Sequence, residues 1–231
     1  MKKKIAISQS NYIPWKGYFD MINMVDVFVL YDEVQYTKND WRNRNILKTN
    51  KGLEWITIPV KQNNLDQRVD ETKVFLPKWN VKHWKTLQAV YGKAPFFRKY
   101  RERFEKLYLE IDTLLLSEIN KKFIHEICDI LDIKTPIISS TELFLVGDAN
   151  ERLIDACKKL EAKTYVSGPT AKTYIKNALF YENSIEIEWI DYSGYKEYNQ
   201  MSSPFEHGVS VLDLIFNEGE KANSFLKSFN S

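Results

Sequence analysis

Cysteine is nearly absent from this chain of 231 residues, which has only Cys128 and Cys157. Both stand in segments of helical apolar spacing without neighbours suited to metal binding. The pair therefore reads as reduced core residues of a cytoplasmic protein, not as a disulfide framework. An excess of one charge is lacking as well: 33 Lys and Arg face 31 Asp and Glu. With a net charge of +2 the chain has no overall basic field for a stable nucleic-acid partner or an acidic membrane surface. Long apolar runs are missing, and the one after Lys2, Lys3 and Lys4 breaks at Ser8, far short of a signal peptide's hydrophobic region. No membrane insertion is expected. The usual Gly-rich phosphate loop, a Ser, His and Asp set at nucleophile spacing, and a metal-ligand motif are all absent. No repeat, low-complexity tract or linker divides the sequence, whose length suits one large domain over residues 1–231.

What is present reads as mixed α/β. "KKIAIS" and "DVFVLYDEV" are short β-branched runs, and "GYFDMINMV" between them carries Tyr18, Ile22 and Val25 at helical spacing. Residues 4–34 are thus predicted to form a strand, a helix and a parallel strand. "LEWITIPVK" predicts a third strand and "TKVFLP" a weaker fourth. From Val81 to Leu131 apolar residues recur every three or four positions, which predicts helices divided at Pro95 and forming a helical insertion or lid. Further on, "PIISSTEL", "KTYVSG" and "SIEIEWIDY" read as strands, "DANERLIDACKKLEA" as a helix capped by Asp148, and "SVLDLIF" as a closing helix. The sum is an α/β domain with a parallel or mixed sheet flanked by helices. Its ligand crevice is expected beyond the carboxyl ends of the strands, where their order reverses.

Three polar loops would leave strands at that edge. In "QSNYIPWKGYF", Gln9 follows a buried run, where an amide is costly unless a neighbouring loop or a ligand partners it. Tyr12, Trp15 and Tyr18 are either packing aromatics or a substrate wall, with Pro14 and Gly17 fixing the turn. Asp32 and Glu33 end the second run, and Ser167 and Gly168 leave a later one. The densest stretch is "QYTKNDWRNRNIL", where Arg42 and Arg44 follow Trp41 and fall on one face if the segment is extended. Paired guanidinium forks suit a diphosphate or carboxylate, with Gln35 and Asn43 as orienting amides. The other reading is a solvated hairpin edge. Interleaved aromatics and basic residues also fit single-stranded nucleic acid, against which the charge balance argues. Of the three histidines, His125 lies in an apolar helical pattern and reads as structural, while His207 sits in the loop "SSPFEHGVS" with either role open. His83, between Trp79 and Trp84, is the candidate base, or else a packing residue. Asp32 is the other candidate base, or a group that holds a cationic substrate.

The blocks "QSNYIPWKGYFDMI", "DVFVLYDEVQYTKNDWRNRN", "WITIPV", "HWKTLQAVYGKAPFF", "RLIDACKKLEAKTYVSG" and "SVLDLIFNEG" occur in order and resemble those of the WbqC-like family. They span nearly the whole chain. One departure is Ser10-Asn11, where the family often has a proline, which leaves the opening turn less rigid. The resemblance implies a bacterial protein, commonly encoded among surface-polysaccharide (O-antigen, lipopolysaccharide) genes. It implies modification of a nucleotide-linked amino sugar by attachment of an acyl or aminoacyl group such as glycine. The donor stays open among an acyl thioester, an aminoacyl-tRNA and an ATP-activated acid. An ATP-dependent amide ligase or nucleotidylyltransferase-like enzyme, and a noncatalytic nucleotide-sugar binding protein, are the alternatives. In a weaker likeness, "PWKGY" and "SGPTAKTY" resemble parts of nucleotidylyltransferase-like α/β proteins such as pantothenate synthetase, whose first-turn histidines are absent here. That likeness is an analogy of fold.

Overall fold

Ile5, Ala6 and Ile7 of strand β1 (Lys4–Ser8) are all buried, as a strand covered on both faces requires. In the computed structural model, which describes residues 2–230, β1 pairs in parallel with β2 (Val27–Leu30), with Ile5 opposite Val27 and Ser8 opposite Leu30. Helix α1 (Lys16–Asn23) makes the crossover between them. On its other side β1 pairs in parallel with β8 (Thr164–Ser167). β7 (Ile137–Ser139) extends the sheet beyond β2, and β9 (Glu186–Trp189) extends it beyond β8, both in parallel. The resulting order is β7-β2-β1-β8-β9, so the strand order reverses between β1 and β8.

Helices cover the two faces of this sheet separately. Ala6 and Phe28 face a core shared with α1, α2 (Trp79–Tyr91), α3 (Phe97–Leu109), α4 (Leu116–Ile130) and α7 (Val211–Glu218). Ile5, Ile7, Val29 and Tyr165 face a second core with α5 (Ala149–Lys159) and α6 (Asn177–Glu182). This alternation along β1 follows from the two-residue period of a strand. Each fully buried Ile or Phe contributes ~1.5–3 kcal/mol, which holds both helix layers on the sheet. Helix α5 begins as expected: the Asp148 carboxylate accepts from the Asn150 and Glu151 amides at 2.8 and 2.9 Å. Both cysteines are buried and free, and burial pushes each thiol up to about 12.

The stretch between β2 and β7 differs from the expectation in one respect. "LEWITIPVK" is not a single strand of the main sheet. β3 (Arg44–Thr49) and β4 (Gly52–Thr57) form an antiparallel hairpin of their own, while β5 (Val60–Lys61) pairs with β6 (Lys73–Val74). Pro59 causes the break, because it has no amide hydrogen to continue a ladder. The three helices that follow share the first core with the sheet, Pro95 dividing α2 from α3. Beyond β9, residues 190–210 form no α-helix or strand and cross over α1. Tyr195 donates to Asp20 at 2.5 Å and Tyr198 to Asp213 at 2.7 Å, which fastens this strap. Among the described residues no helix is long and apolar enough to cross a membrane.

Candidate functional site

The loop that leaves β1 is held open by its neighbours. Ile13 has a φ of 39°, a conformation unfavourable for a β-branched residue, and the surroundings keep it there. Asn45 of β3 donates to the carbonyls of Tyr12 and Ile13 at 3.1 and 3.0 Å, and the Ser210 hydroxyl donates to the Ile13 carbonyl at 2.7 Å. The Tyr12 amide donates to the Trp41 carbonyl at 2.9 Å. Trp15, half-buried, lays its indole back against the first turn of α1, edge-on to Tyr192 and Tyr195 at 5.1 and 5.9 Å. Gly17 makes this possible, since a Cβ there would sit 2.2 Å from the indole. Trp15 and Trp41 then line a cavity of about 290 Å³ with Asn11, Pro14, Asn45 and Gly208.

Gln9 finds its partner in Arg42, whose Nη2 donates to Gln9 Oε1 at 2.7 Å while its Nη1 pairs with Asp40. The Tyr18 hydroxyl donates to the Gln9 carbonyl at 2.9 Å. Asp32, at the carboxyl end of β2, accepts from the Ser10 amide at 2.8 Å and is nine-tenths buried. Burial raises its pKa, against the lowering by Ser10 and by Arg42. Asp32 also lines a cavity of about 230 Å³ with Glu33, Asp70, Glu118 and the single Lys121. Beyond β8, Ser167 is buried, and a Cβ added at Gly168 would stand 3.6 Å from Tyr192. Gln9, Asp32 and Arg42 thus meet at the carboxyl edge, beside the reversal of strand order.

Other residues expected there lie elsewhere. Arg42 belongs to a turn and not to an extended segment, so Arg44 does not share its face. Arg44 pairs with the Asn39 carbonyl and lies over the Trp55 ring at 4.0 Å. The Gln35 amide donates to the Leu65 carbonyl at 2.6 Å, so it does not orient Arg42. Asn43 is buried, donating to the Ile58 carbonyl at 2.9 Å. Tyr12 is fully buried and forms no wall for a ligand. His83 is also buried, with Nε2 at 3.1 Å from the Thr57 carbonyl and Nδ1 at 2.9 Å from the Tyr12 hydroxyl. A carbonyl only accepts, so Nε2 carries the hydrogen and Nδ1 accepts from Tyr12, which accepts in turn from Tyr108 at 2.5 Å. Both ring nitrogens are occupied, and burial pushes the pKa of His83 down to about 4. The imidazole is a neutral structural link, which leaves Asp32 as the candidate base. His125, read as structural, is exposed on α4.

Comparison with known proteins decides the family. The model of the WbqC-like protein family matches residues 9–225. The chain belongs to the WbqC-like family. It is 43% identical over 226 residues to "Uncharacterized protein Rv1507c" of Mycobacterium tuberculosis (strain ATCC 25618 / H37Rv), covering 97% of this chain and 98% of that one. No solved structure matches.

In this WbqC-like chain the sequence reading missed two kinds of residue. Lys16, in the first turn of α1, is almost fully buried, its ammonium 5.1 Å from the ring centres of Tyr195 and Tyr198 and 3.1 Å from His207 Nδ1. Burial lowers its pKa to about 8, against the raising by Asp213 and Asp20. Its three aromatic neighbours, Tyr195, Tyr198 and Phe205, lie some 180 residues away, so no local pattern marks it. Asn45 and Asn120 are the second kind. The Asn120 amide donates to the Arg42 carbonyl at 2.8 Å and to the Ser10 hydroxyl at 3.1 Å, tying α4 to both halves of the site. An asparagine within an apolar helical pattern was the available signal.

Proposed function

We propose that this WbqC-like protein binds a nucleotide-linked amino sugar at the carboxyl edge of its sheet and transfers an acyl or aminoacyl group, such as glycyl, to the sugar amine. The observation that carries the reading is the Gln9–Arg42 pair, set at the end of β1 beside the strand-order reversal, where open α/β sheets bind their ligands. Arg42 is held by Gln9 and Asp40 through one hydrogen on each of Nη1 and Nη2, so the guanidinium is oriented and its two remaining terminal hydrogens suit a phosphate oxygen. Trp15 and Trp41 offer apolar ring faces to a sugar or base. The cavity around Asp32, Glu33, Asp70 and Glu118 attracts the amine as its ammonium.

Asp32 then acts as the base. Its raised pKa makes it a better proton acceptor than an exposed aspartate. Asp32 takes one proton from the ammonium and frees the nitrogen lone pair; the amine nitrogen then attacks the acyl carbon, a C–N bond forms, the bond from that carbon to the donor's leaving group breaks, and the leaving group departs with the second proton that the nitrogen loses. Among the described residues no group of three or more His, Cys, Asp or Glu side chains is placed to hold a metal ion. The test is mass spectrometry of nucleotide-linked amino sugars incubated with the protein and, in turn, with acyl-coenzyme A, aminoacyl-tRNA, or amino acid plus ATP. An acylated product formed with one donor by the wild type and lost in Asp32→Asn supports the reading. Binding of the nucleotide sugar without product from any donor would leave a binding protein in its place.

A further inference from the structure

A cavity of about 740 Å³ lies between the turn after β2 and the corner from β4 to β5. No Asp or Glu lines it, yet it holds two lysines, Lys38 and Lys61, that form no ion pair among the described residues. The acidic cavity has four carboxylates and one lysine, so in a nearly neutral chain the two cavities have opposite charge. Two polar side chains on its wall are also short of partners. Tyr36 is 3% exposed as a whole residue, and its hydroxyl, the part that reaches the surface, makes no hydrogen bond among the described residues. Asn43 is 5% exposed, and because its Nδ2 is committed to the Ile58 carbonyl, its Oδ1 is left buried with no partner. A buried oxygen such as Asn43 Oδ1 is seldom left this way unless a ligand or water completes it. Phe75, 54% exposed, stands on the same wall as an open aromatic face. Burial and then Asp40 raise the pKa of the Tyr36 phenol, while Arg44 and Arg42 oppose them, so the phenol lies in the field of both guanidinium groups.

We propose that this cavity is the donor pocket and takes an adenosine phosphate, with the phosphate on Lys38, Lys61 and Tyr36, the base on Phe75, and Asn43 Oδ1 accepting from a ligand N–H or O–H. The proposal rests on the acyl-transfer reading. It deepens that reading because a coenzyme A thioester, an ATP-activated acid and the end of an aminoacyl-tRNA share this one chemical part. The cavity's size suits a small nucleotide, and the chain's charge of +2 offers no broad basic surface for the body of an RNA. The small-molecule source is therefore the one assigned.

Calorimetry with ADP, coenzyme A and an RNA hairpin ending in CCA as probes tests this. Wild type is expected to bind ADP and coenzyme A. The Lys38→Ala/Lys61→Ala variant should bind both about tenfold or more weakly, and Tyr36→Phe several-fold more weakly. Lys38 and Lys61 are exposed, so the melting temperature should not move. Arg42→Ala should weaken the nucleotide-linked amino sugar more than it weakens ADP, because Arg42 acts on this pocket only through its field at Tyr36. No binding of ADP or coenzyme A, binding indifferent to the lysines, or binding of the hairpin alone would overturn the proposal. Lysine-dependent ADP binding in a protein that takes no nucleotide-linked amino sugar would keep this pocket and remove the acceptor reading. Arg42-dependent binding of the amino sugar with lysine-independent ADP binding would do the reverse.

Discussion

His83 shows how a single residue changes meaning once its neighbours are known. Its flanking tryptophans and helical position suited a base, but Thr57 and Tyr12, 26 and 71 residues away, take both ring nitrogens. No local pattern carries that information. The chain from Tyr108 through Tyr12 to His83 makes Tyr12→Phe a stability variant, since it leaves a buried acceptor and a buried hydroxyl unpartnered. The expected loss is about 1–3 kcal/mol in urea unfolding, with nucleotide-sugar affinity unchanged. The same histidine sets a pH dependence. Above its ordinary value of 6.5 both folded and unfolded states are neutral and the residue contributes nothing. Below it the unfolded chain takes up a proton that the folded one refuses until about pH 4. Stability should therefore fall as pH drops from 6.5 to about 4, by ~3 kcal/mol from this residue. Unfolding measured across that range should show the fall in wild type and a flatter profile in His83→Gln; equal profiles would remove the account of His83.

At the scale of elements, the site depends on a loop that the rest of the protein keeps in shape. Ile13 holds its positive φ because Asn45 and Ser210 take the loop's carbonyls, and both come from elements distant in sequence. Asn45→Ala should cost about 2–4 kcal/mol, through the loss of its two bonds to the loop carbonyls and one from the Ile46 amide and through release of the strained turn, as read by denaturant titration. Gly17 and Trp15 form a second pair. Ala at position 17 would meet the indole at 2.2 Å and push it from the cavity wall, while α1 itself gains a better helix former. Gly17→Ala is thus expected to lower ligand affinity at least about tenfold while the protein stays folded; unchanged affinity by calorimetry would mean that Trp15 does not touch the ligand. The turn residues of this loop were legible in the sequence because they break the strand pattern. The direction in which each side chain points was not, because Asn45, Ser210 and Asn120 decide it.

For the whole molecule, the parallel strand-helix-strand unit, the three central helices and the later strands could be read from apolar periodicity, which depends only on near neighbours. The placement of β3 and β4 in a separate hairpin could not, because an alternating run such as "LEWIT" does not say which partner it will find. Strand order was beyond the sequence for the same reason. It is also the feature that puts Gln9, Asp32 and Arg42 together, with β1 at the reversal and α4 tied beneath them through Asn120. The account stands or falls on Arg42 as a ligand group at that edge. Calorimetry of a nucleotide-linked amino sugar against wild type, Arg42→Lys and Arg42→Ala tests it most directly. Loss of a charge-assisted bond to phosphate predicts affinity about ten to a hundredfold weaker in Arg42→Ala, only partly restored by lysine. Equal affinity in all three folded proteins would contradict it and return Arg42 to the role of a surface charge.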